Sequence, residues 1–326
     1  MRELVGLLLA GCCLVGGVAS AAPQPEPEVV TRFADPEIVE SSGLVATASH
    51  LVTVNDSGDS SRIFTVDRGT GETVGVTRWA GESVDNEALA PAGPGEVWVA
   101  DIGDNRGERS SVRVTRVPFG PGERDVAGTA YDLVYEDGPH DAEALLAHPV
   151  TGRLYVVTKD VLGGGVYAAP RRLADGGPNR LVRVAEAPPL VTDGAFLASG
   201  RRVVLRSYGR LVVATFPGMR VVASASTPPQ EQGEGLAVDG DGSVLLSSEG
   251  VGSEVLRVPL PEAEGPGDAE SAAPDGPADP TGTSIPRGPG QPTSPEEFRP
   301  ERWPWVAGTL FAVAALVVLL LALRPR

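Results

Sequence analysis

Five acidic side chains recur at similar intervals through the middle of the chain. Glu40, Glu87, Glu143, Asp193 and Glu234 lie 47, 56, 50 and 41 residues apart. Carboxylates that meet in one place must be protonated, paired with a cationic side chain or bound to a metal ion, and their hard oxygen atoms favour calcium or magnesium. We therefore predict that these acids form an inner ring that holds a divalent cation.

A second set of polar residues follows the second apolar run of each repeat and predicts an outer ring. This ring changes from acids to Lys159 and Arg206 and back to an acid, so it has a cationic and an anionic side that suit a ligand with an anionic group. Two further acids stand beside the inner ring, and a glycine-containing turn adds oxygen ligands. The predicted binding residues are Asp56, Asp85, Asp101, Asp104, Asn105, Asp141, Lys159, Arg206 and Glu249.

Three roles for this face stay open. The acids could be structural and bond the backbone amides of neighbouring repeats, or the face could belong to a surface protein that acts as an interaction scaffold. It could also belong to a metal-dependent hydrolase of phosphoesters or lactones, in which Lys159 and Arg206 hold the anionic group and an inner acid or His140 is the base. No Gly-x-Ser-x-Gly sequence is present, so covalent hydrolysis is not supported.

The interval between the acids also predicts the fold. Repeats of 40 to 50 residues, each with several short apolar runs, are typical of a β-propeller. The first repeat has runs at 42–47, 51–54, 62–66 and 73–78, and the fourth has runs at 195–198, 202–207, 211–216 and 221–226. No apolar pattern at helical spacing interrupts them. We predict an all-β, five-bladed β-propeller over residues 29–260, with six blades possible if residues 82–138 hide another repeat.

The fifth repeat supplies only three strands, within residues 235–260, while an unmatched apolar strand at 29–33 precedes the first repeat. Closure of a propeller by its N-terminal strand removes the unpaired backbone groups of an open edge. The strand at 29–33 is therefore predicted to complete the last blade.

The two ends of the chain predict export and membrane attachment. Residues 1–21 have the pattern of a signal peptide, with a lipid-attachment site at Cys12 as the alternative. Residues 261–303 are rich in proline and glycine and predict a disordered linker. Residues 304–323 carry no charge and are long enough for one transmembrane helix, which leaves residues 324–326 as a cytoplasmic tail. The predicted protein is anchored in the cell membrane by a single pass, with its N-terminal domain outside the cytoplasm.

Charge and cysteine content exclude several functions. The chain has a formal net charge of −16, so nucleic acid and anionic lipid surfaces are poor partners. The only cysteines, Cys12 and Cys13, lie in the signal segment, which leaves the domain without a disulfide or a metal-thiolate site. The partners that remain are a small anionic ligand or an extracytoplasmic protein.

Several short phrases resemble those of a known group of proteins. They are Asn55-Asp-Ser-Gly58, Asp101-Ile-Gly-Asp-Asn105, Tyr155-Val-Val-Thr-Lys159 and Gln232-Gly-Glu-Gly-Leu236. They look like exported bacterial β-propellers, with a looser similarity to esterase-like phytase and lactonase propellers. The resemblance implies a propeller over residues 29–260 and, for the enzymatic relatives, a calcium-bearing site in the channel. Our prediction is a membrane-tethered propeller that binds a ligand at its acidic face, with calcium or magnesium as the cofactor.

Overall fold

A computed structural model describes residues 27–262 of the protein. Every regular element in this range is a β-strand and the range contains no helix, as the sequence predicts. Within these residues there is accordingly no helix that could span a membrane. The predicted signal peptide (1–21), transmembrane helix (304–323) and tail (324–326) lie outside the described residues, as does the predicted linker (261–303) after its first two positions.

Short strands separated by glycine-containing turns run along the whole described range. The first ten are β1 (Glu28–Arg32), β2 (Ser41–Ala46), β3 (His50–Asn55), β4 (Arg62–Asp67), β5 (Thr73–Trp79), β6 (Asn86–Gly93), β7 (Glu96–Asp101), β8 (Val112–Pro118), β9 (Gly122–Val126) and β10 (Thr129–Tyr135). The others are β11 (Ala142–Ala147), β12 (Leu154–Thr158), β13 (Gly165–Ala168), β14 (Asn179–Glu186), β15 (Val191–Phe196), β16 (Arg202–Ser207), β17 (Arg210–Thr215), β18 (Val221–Ser226), β19 (Gly233–Val238), β20 (Val244–Ser248) and β21 (Glu254–Val258).

The strands predicted for the first repeat agree with β2 to β5 to within a residue or two at each end. In the fourth repeat the first strand was predicted from residue 195, whereas β15 begins at Val191. The prediction was wrong because Thr192, Asp193 and Gly194 have the composition of a turn. All three are buried inside the strand, so the register of this repeat differs from the predicted one.

Neighbouring strands pair antiparallel in groups of four, as in a propeller-like fold. The groups are β2-β3-β4-β5, β6-β7-β8-β10, β11-β12-β13-β14, β15-β16-β17-β18 and β19-β20-β21-β1. The last group contains the predicted closure: β1 pairs antiparallel with β21, and Val29 lies opposite Leu256. The N-terminal strand therefore completes the group that the C-terminal strands begin.

The long second repeat contains one strand more than the other repeats. Strand β9 pairs parallel with β5 and extends the first group, with Val126 opposite Trp79. Strand β10 pairs parallel with β14, so the second and third groups form one eight-stranded sheet. Residues 82–138 thus supply β9 to the first group in addition to the four strands of the second group, which accounts for their length.

The first strand of each group contacts the first strands of two other groups, in the closed order β2, β6, β11, β15, β19 and back to β2. Hydrophobic clusters fill the space between successive groups. Val45, Ile63, Leu89 and Val97 belong to the cluster between the first and second groups, and four similar clusters follow around the cycle. This packing fixes the five inner strands side by side. We call the end at which they begin the acid mouth, and the end at which they finish the opposite mouth.

Candidate functional site

Each inner strand has an irregular pairing at its first residues. The register shifts between Ser41 and Gly43 in β2, and a shift recurs at the same place in β6, β11, β15 and β19. Bulges of this kind turn a side chain away from the regular pleat of the strand. The residues at the shifts are Ser42, Glu87, Glu143, Thr192 and Glu234.

The structure therefore brings together three of the five acids predicted for the inner ring. Glu87, Glu143 and Glu234 occupy equivalent positions, whereas the first and fourth groups place Ser42 and Thr192 there. Glu40 lies before β2 and forms an isolated bridge with Glu249. Asp193 lies one residue further into β15, opposite Arg206.

Sequence reasoning missed Ser42, although a signal for it exists. A small residue and then a leucine follow the acids Glu87, Glu143 and Glu234, and the same pair follows Ser42. Aligning the repeats on this leucine would have replaced Glu40 by Ser42. In the fourth repeat Gly194 stands at the position of this leucine and lies opposite Leu205.

The two hydroxyl groups tie neighbouring strand groups together. Ser42 Oγ donates to the carbonyl oxygen of Glu87 at 2.8 Å and lies 3.3 Å from its Oε2 atom. Thr192 Oγ1 lies 3.4 Å from the carbonyl oxygens of Gly233 and Glu234. These contacts fix the backbone from which two of the glutamates project.

Carboxylates form a continuous cluster at the acid mouth. In three overlapping trios, Asp56–Glu234–Glu249, Asp56–Asp85–Glu87 and Glu87–Asp141–Glu143, one oxygen of each residue lies within 4.8 Å of the others. Asp56 and Glu87 each belong to two trios and therefore link them. We call this set the acid cluster; its members are Asp56, Asp85, Glu87, Asp141, Glu143, Glu234 and Glu249.

Burial and mutual repulsion change the protonation of the cluster. Burial, together with the neighbouring carboxylates, Glu143 first among them, raises the pKa of Glu87 to about 11. Burial also raises the pKa of Glu234 to about 8, and it raises that of Glu143 to about 7 against the opposing effect of Lys159. The pKa of Asp85 rises to about 7 through burial and the proximity of Asp56. Without a bound cation, the cluster therefore retains protons at neutral pH.

Lys159 is the only predicted cationic residue that reaches the cluster. Its Nζ atom forms an ion pair with Glu143 Oε1 at 2.5 Å and lies 5.3 Å from the centre of the Tyr208 ring. Burial opposes its charge, but the pairing with Glu143 prevails and raises the pKa of Lys159. One lysine neutralises only one of the carboxylates.

Arg206 and Asp193 interact electrostatically with Glu234 of the cluster, but their hydrogen-bond partners are structural. Arg206 is 1% exposed and donates to the carbonyl oxygens of Gly235 and Ser247 at 2.7 and 2.6 Å. Asp193 is fully buried and accepts from the backbone N–H of Leu236 at 2.6 Å. Both side chains thus join the fourth strand group to the fifth. Arg206 does not supply the cationic side of the predicted pocket.

Asp101 and Asp104 organise the backbone beside the cluster. Asp101 accepts from the backbone N–H groups of Val84 and Asp85 at 3.1 and 3.0 Å and forms an ion pair with Arg109. Asp104 accepts from the N–H groups of Glu108 and Arg109, both at 2.9 Å. Asn105 is an exposed residue of the same turn. These bonds hold the loop that carries Asp85.

His140 has partners outside the cluster. Its Nε2 atom lies 2.9 Å from both Asp137 Oδ1 and the Tyr167 hydroxyl, and its ring packs edge-on against Tyr135. This aromatic contact lies between the second and third strand groups. The geometry gives no support for His140 as the base of a hydrolase.

The acid cluster fits a hard divalent cation on three counts. All of its candidate ligands are oxygens, and two oxygens about 2.4 Å from a calcium ion are at most about 4.8 Å apart, which matches the trios. Glu143 Oε2 and Glu234 Oε2 are buried without a hydrogen-bond partner. Gly103, which has no Cβ atom, allows carboxylate oxygens of both Asp85 and Glu87 to approach the same point of the backbone.

No protein family matches this chain, and no curated protein matches it. Among solved structures, a glucose dehydrogenase gives a TM-score of 0.44 at 11% identity, over 72% of this chain and 100% of that one. The glutaminyl cyclase of Myxococcus xanthus gives 0.44 at 14% identity, over 71% and 99% of the two chains. A putative gluconolactonase gives 0.40 at 14% identity, over 66% and 72%. The last of these structures bears the name of a putative lactonase, the type that the sequence phrases resemble.

Proposed function

We propose that the protein is a membrane-tethered, extracytoplasmic β-propeller whose acid cluster binds a divalent cation. The observation that supports this most directly is the pair of buried oxygens, Glu143 Oε2 and Glu234 Oε2, which have no partner in a cluster of carboxylates. A buried carboxylate oxygen without a partner is costly, and a cation would offset that cost for several of them at once. When bound, the ion would supply positive charge and open coordination positions to a ligand.

The proposal includes five blades. Five inner strands contact one another in a closed cycle, and five hydrophobic clusters separate the strand groups. The membrane tether and the exported location rest on the sequence patterns of residues 1–21 and 304–326.

Calcium is the ion we favour over magnesium. Calcium accepts six to eight oxygens in flexible geometry, whereas magnesium demands a near-ideal octahedron and keeps several waters. Seven carboxylates from four strand groups offer many oxygens without a regular arrangement. The residues proposed to hold the ion are Glu87, Asp85, Asp141 and Glu143, with Asp56, Glu234 and Glu249 as further ligands.

A small anionic ligand would reach this mouth only through the bound cation. Arg206 is buried against backbone carbonyls, and Lys159 is already paired with Glu143. The unneutralised carboxylates would otherwise repel an anion. The cation is therefore the centre of the proposed function.

Thermal unfolding of the full chain in a mild non-ionic detergent tests the proposal, with EDTA, calcium or magnesium present. Binding at 100 times the dissociation constant stabilises the folded state by about 2.7 kcal/mol, which raises the midpoint by roughly 5–10 °C for a domain of this size. Glu87→Gln is expected to abolish the shift. Glu96→Gln, which changes a carboxylate at the opposite mouth, should leave it intact.

A midpoint that neither ion moves would contradict the metal site and leave the acids as structural ties. The hydrolase alternative is tested in the same samples with phosphoester and lactone substrates. Turnover that requires calcium and disappears in Glu87→Gln would identify an enzyme, whereas a calcium shift without turnover identifies a binding protein.

A further inference from the structure

Exposed apolar side chains surround the acid cluster. Leu162 is 92% exposed, Val161 72%, Val251 64% and Val84 61%. All lie in loops at the acid mouth, where the inner strands begin or the second strands of the groups end. We call the set the apolar rim; its members are Val39, Val84, Val161, Leu162, Tyr208 and Val251.

The rim is interleaved with the charged residues of the site. Val39 precedes Glu40, Val84 precedes Asp85, and Val251 follows Glu249 by two positions. The Tyr208 ring lies beneath the Lys159 ammonium group. The rim and the cluster therefore lie at the same mouth, and Val84 and Val251 share loops with the cluster residues Asp85 and Glu249.

The loops of the opposite mouth have a different composition. Of the large apolar residues that are exposed within the described range, Val150 lies in a loop there, Val221 at the start of β18 and Val29 near the start of β1. Exposure of apolar side chains to water is unfavourable. Several exposed apolar side chains near one site therefore indicate an interaction surface.

The charge of this surface selects the kind of partner. The acid cluster contributes seven carboxyl groups against the single charge of Lys159, so that even with Glu87 and Glu234 protonated negative charge exceeds positive charge at this mouth. A partner that covers the rim must therefore carry positive charge opposite the cluster. Anionic membranes and acidic proteins do not meet this requirement.

We propose that the acid mouth docks a protein segment that presents lysine or arginine side chains flanked by apolar residues. The basic groups pair with the unsatisfied carboxylates of the cluster, and the apolar residues pack on the rim and exclude water from those pairs. The inference uses the same face as the proposed cation site but does not require the cation. Where both bind, they neutralise the same carboxylates, so each weakens the other by the same factor.

Fluorescence anisotropy with short labelled peptides and the full chain in detergent tests the proposal. One peptide alternates leucine with lysine, the second has serine for leucine, and the third has glutamate for lysine. We expect saturable binding of the first peptide in EDTA, binding at least about tenfold weaker for the other two, and a loss of affinity when calcium is added.

Two triple variants test whether the rim itself, rather than exposed apolar surface in general, binds the first peptide. Val84→Ser, Leu162→Ser and Val251→Ser together should weaken binding of the first peptide about tenfold while the calcium shift of the unfolding midpoint is kept. The matched control changes Val150, Val182 and Val184, which are exposed elsewhere, to serine and should bind like the wild type. A stable rim variant that retains its calcium response shows that folding and the cation site are intact.

The proposal fails if the rim variant and the wild type bind the first peptide equally, or if the serine peptide binds as well as the leucine peptide. It also fails if the peptides do not bind while vesicles containing phosphatidylglycerol bind in calcium, since the surface is then a membrane contact. Peptide binding that calcium does not alter, together with no calcium shift, would refute the proposed cation site and leave the docking surface standing.

Discussion

The two mouths of the channel use the same acidic residue types in opposite ways. At the opposite mouth Asp239 accepts two hydrogen bonds from Arg68 and forms a 3.0 Å ion pair with Arg257. Hydrogen bonding from Arg68 lowers the pKa of Asp239 to about 2. At the acid mouth burial and neighbouring carboxylates raise the pKa of Glu87 to about 11. Asp239 at the opposite mouth is thus paired with arginines of the protein itself, whereas Glu87 at the acid mouth lies among other carboxylates.

The largest effect on stability is expected for Arg206, a buried charge near the acid mouth whose partners are structural. Arg206→Met removes a buried guanidinium and leaves the carbonyl oxygens of Gly235 and Ser247 without donors. The unfolding free energy should fall by about 3–5 kcal/mol, because breaking a buried network leaves uncompensated polar groups. Chemical denaturation measures this loss. Arg210→Met, at an exposed position in the neighbouring strand, is the control and should cost less than about 1 kcal/mol.

Neutralising one acid at each mouth should change stability in opposite directions. Asp239→Asn loses the pairing with Arg68 and Arg257, and the lowered pKa corresponds to a cost of about 2 kcal/mol. Glu87→Gln removes a carboxyl group that is protonated in the folded state, so in EDTA it should be neutral or stabilising. Urea denaturation in EDTA measures both. A destabilised Glu87→Gln would show that this acid is satisfied within the protein.

The two mouths should also respond to pH in separate ranges. Glu143 and Glu234 have an ordinary pKa of 4.5, which the folded protein raises to about 7 and about 8. Their stabilising contribution is complete below the unfolded pKa and is lost as the pH rises through the folded value. Asp239 behaves in the reverse sense, and its contribution is lost as the pH falls through about 2.

In EDTA the unfolding midpoint should therefore fall by several degrees between pH 5 and pH 8.5. Calcium should reverse much of this loss, because its binding displaces the protons. A midpoint that is flat over this range, with and without calcium, would contradict the raised pKa values.

The smallest effect is expected at Gly103. A Cβ atom there would meet the carboxylate oxygens of Asp85 and Glu87, so Gly103→Ala should displace both groups. We expect calcium affinity to fall about tenfold with a loss of stability near 1 kcal/mol. Gly177→Ala is the matched control, since a Cβ atom at that position meets nothing within 4 Å. Calcium titration followed by unfolding checks both variants.

Much of the fold could be predicted from local features of the sequence. Turn residues and short apolar runs located β2 to β5 closely, and the unmatched strand near Val29 correctly predicted the pairing of β1 with β21. The parallel pairing of β9 with β5 could not be predicted, because it depends on contacts between different repeats.

The positions of the acids could be predicted only where the repeats share the same alignment of acid, small residue and leucine. Glu87, Glu143 and Glu234 were found because a small residue and leucine follow each of them. Asp193 was placed in the ring because it continues the interval between the acids. Its carboxyl group is buried and accepts a hydrogen bond from the backbone amide of Leu236, 43 residues away. A hydrogen bond between residues so far apart in the sequence leaves no pattern near Asp193.

The antiparallel pairing of β1 and β21 also determines how the domain carries mechanical load. Glu28 lies opposite Arg257, so the chain enters and leaves at the same edge of one sheet, at the opposite mouth. Tension applied between the start of β1 and the end of β21 would pull the two strands apart at one end, so their hydrogen bonds would break one after another. Tension between a partner on the acid mouth and the C-terminal end would instead pull β21 along its length between β20 and β1, loading several bonds at once. The fold resists the second direction more strongly than the first.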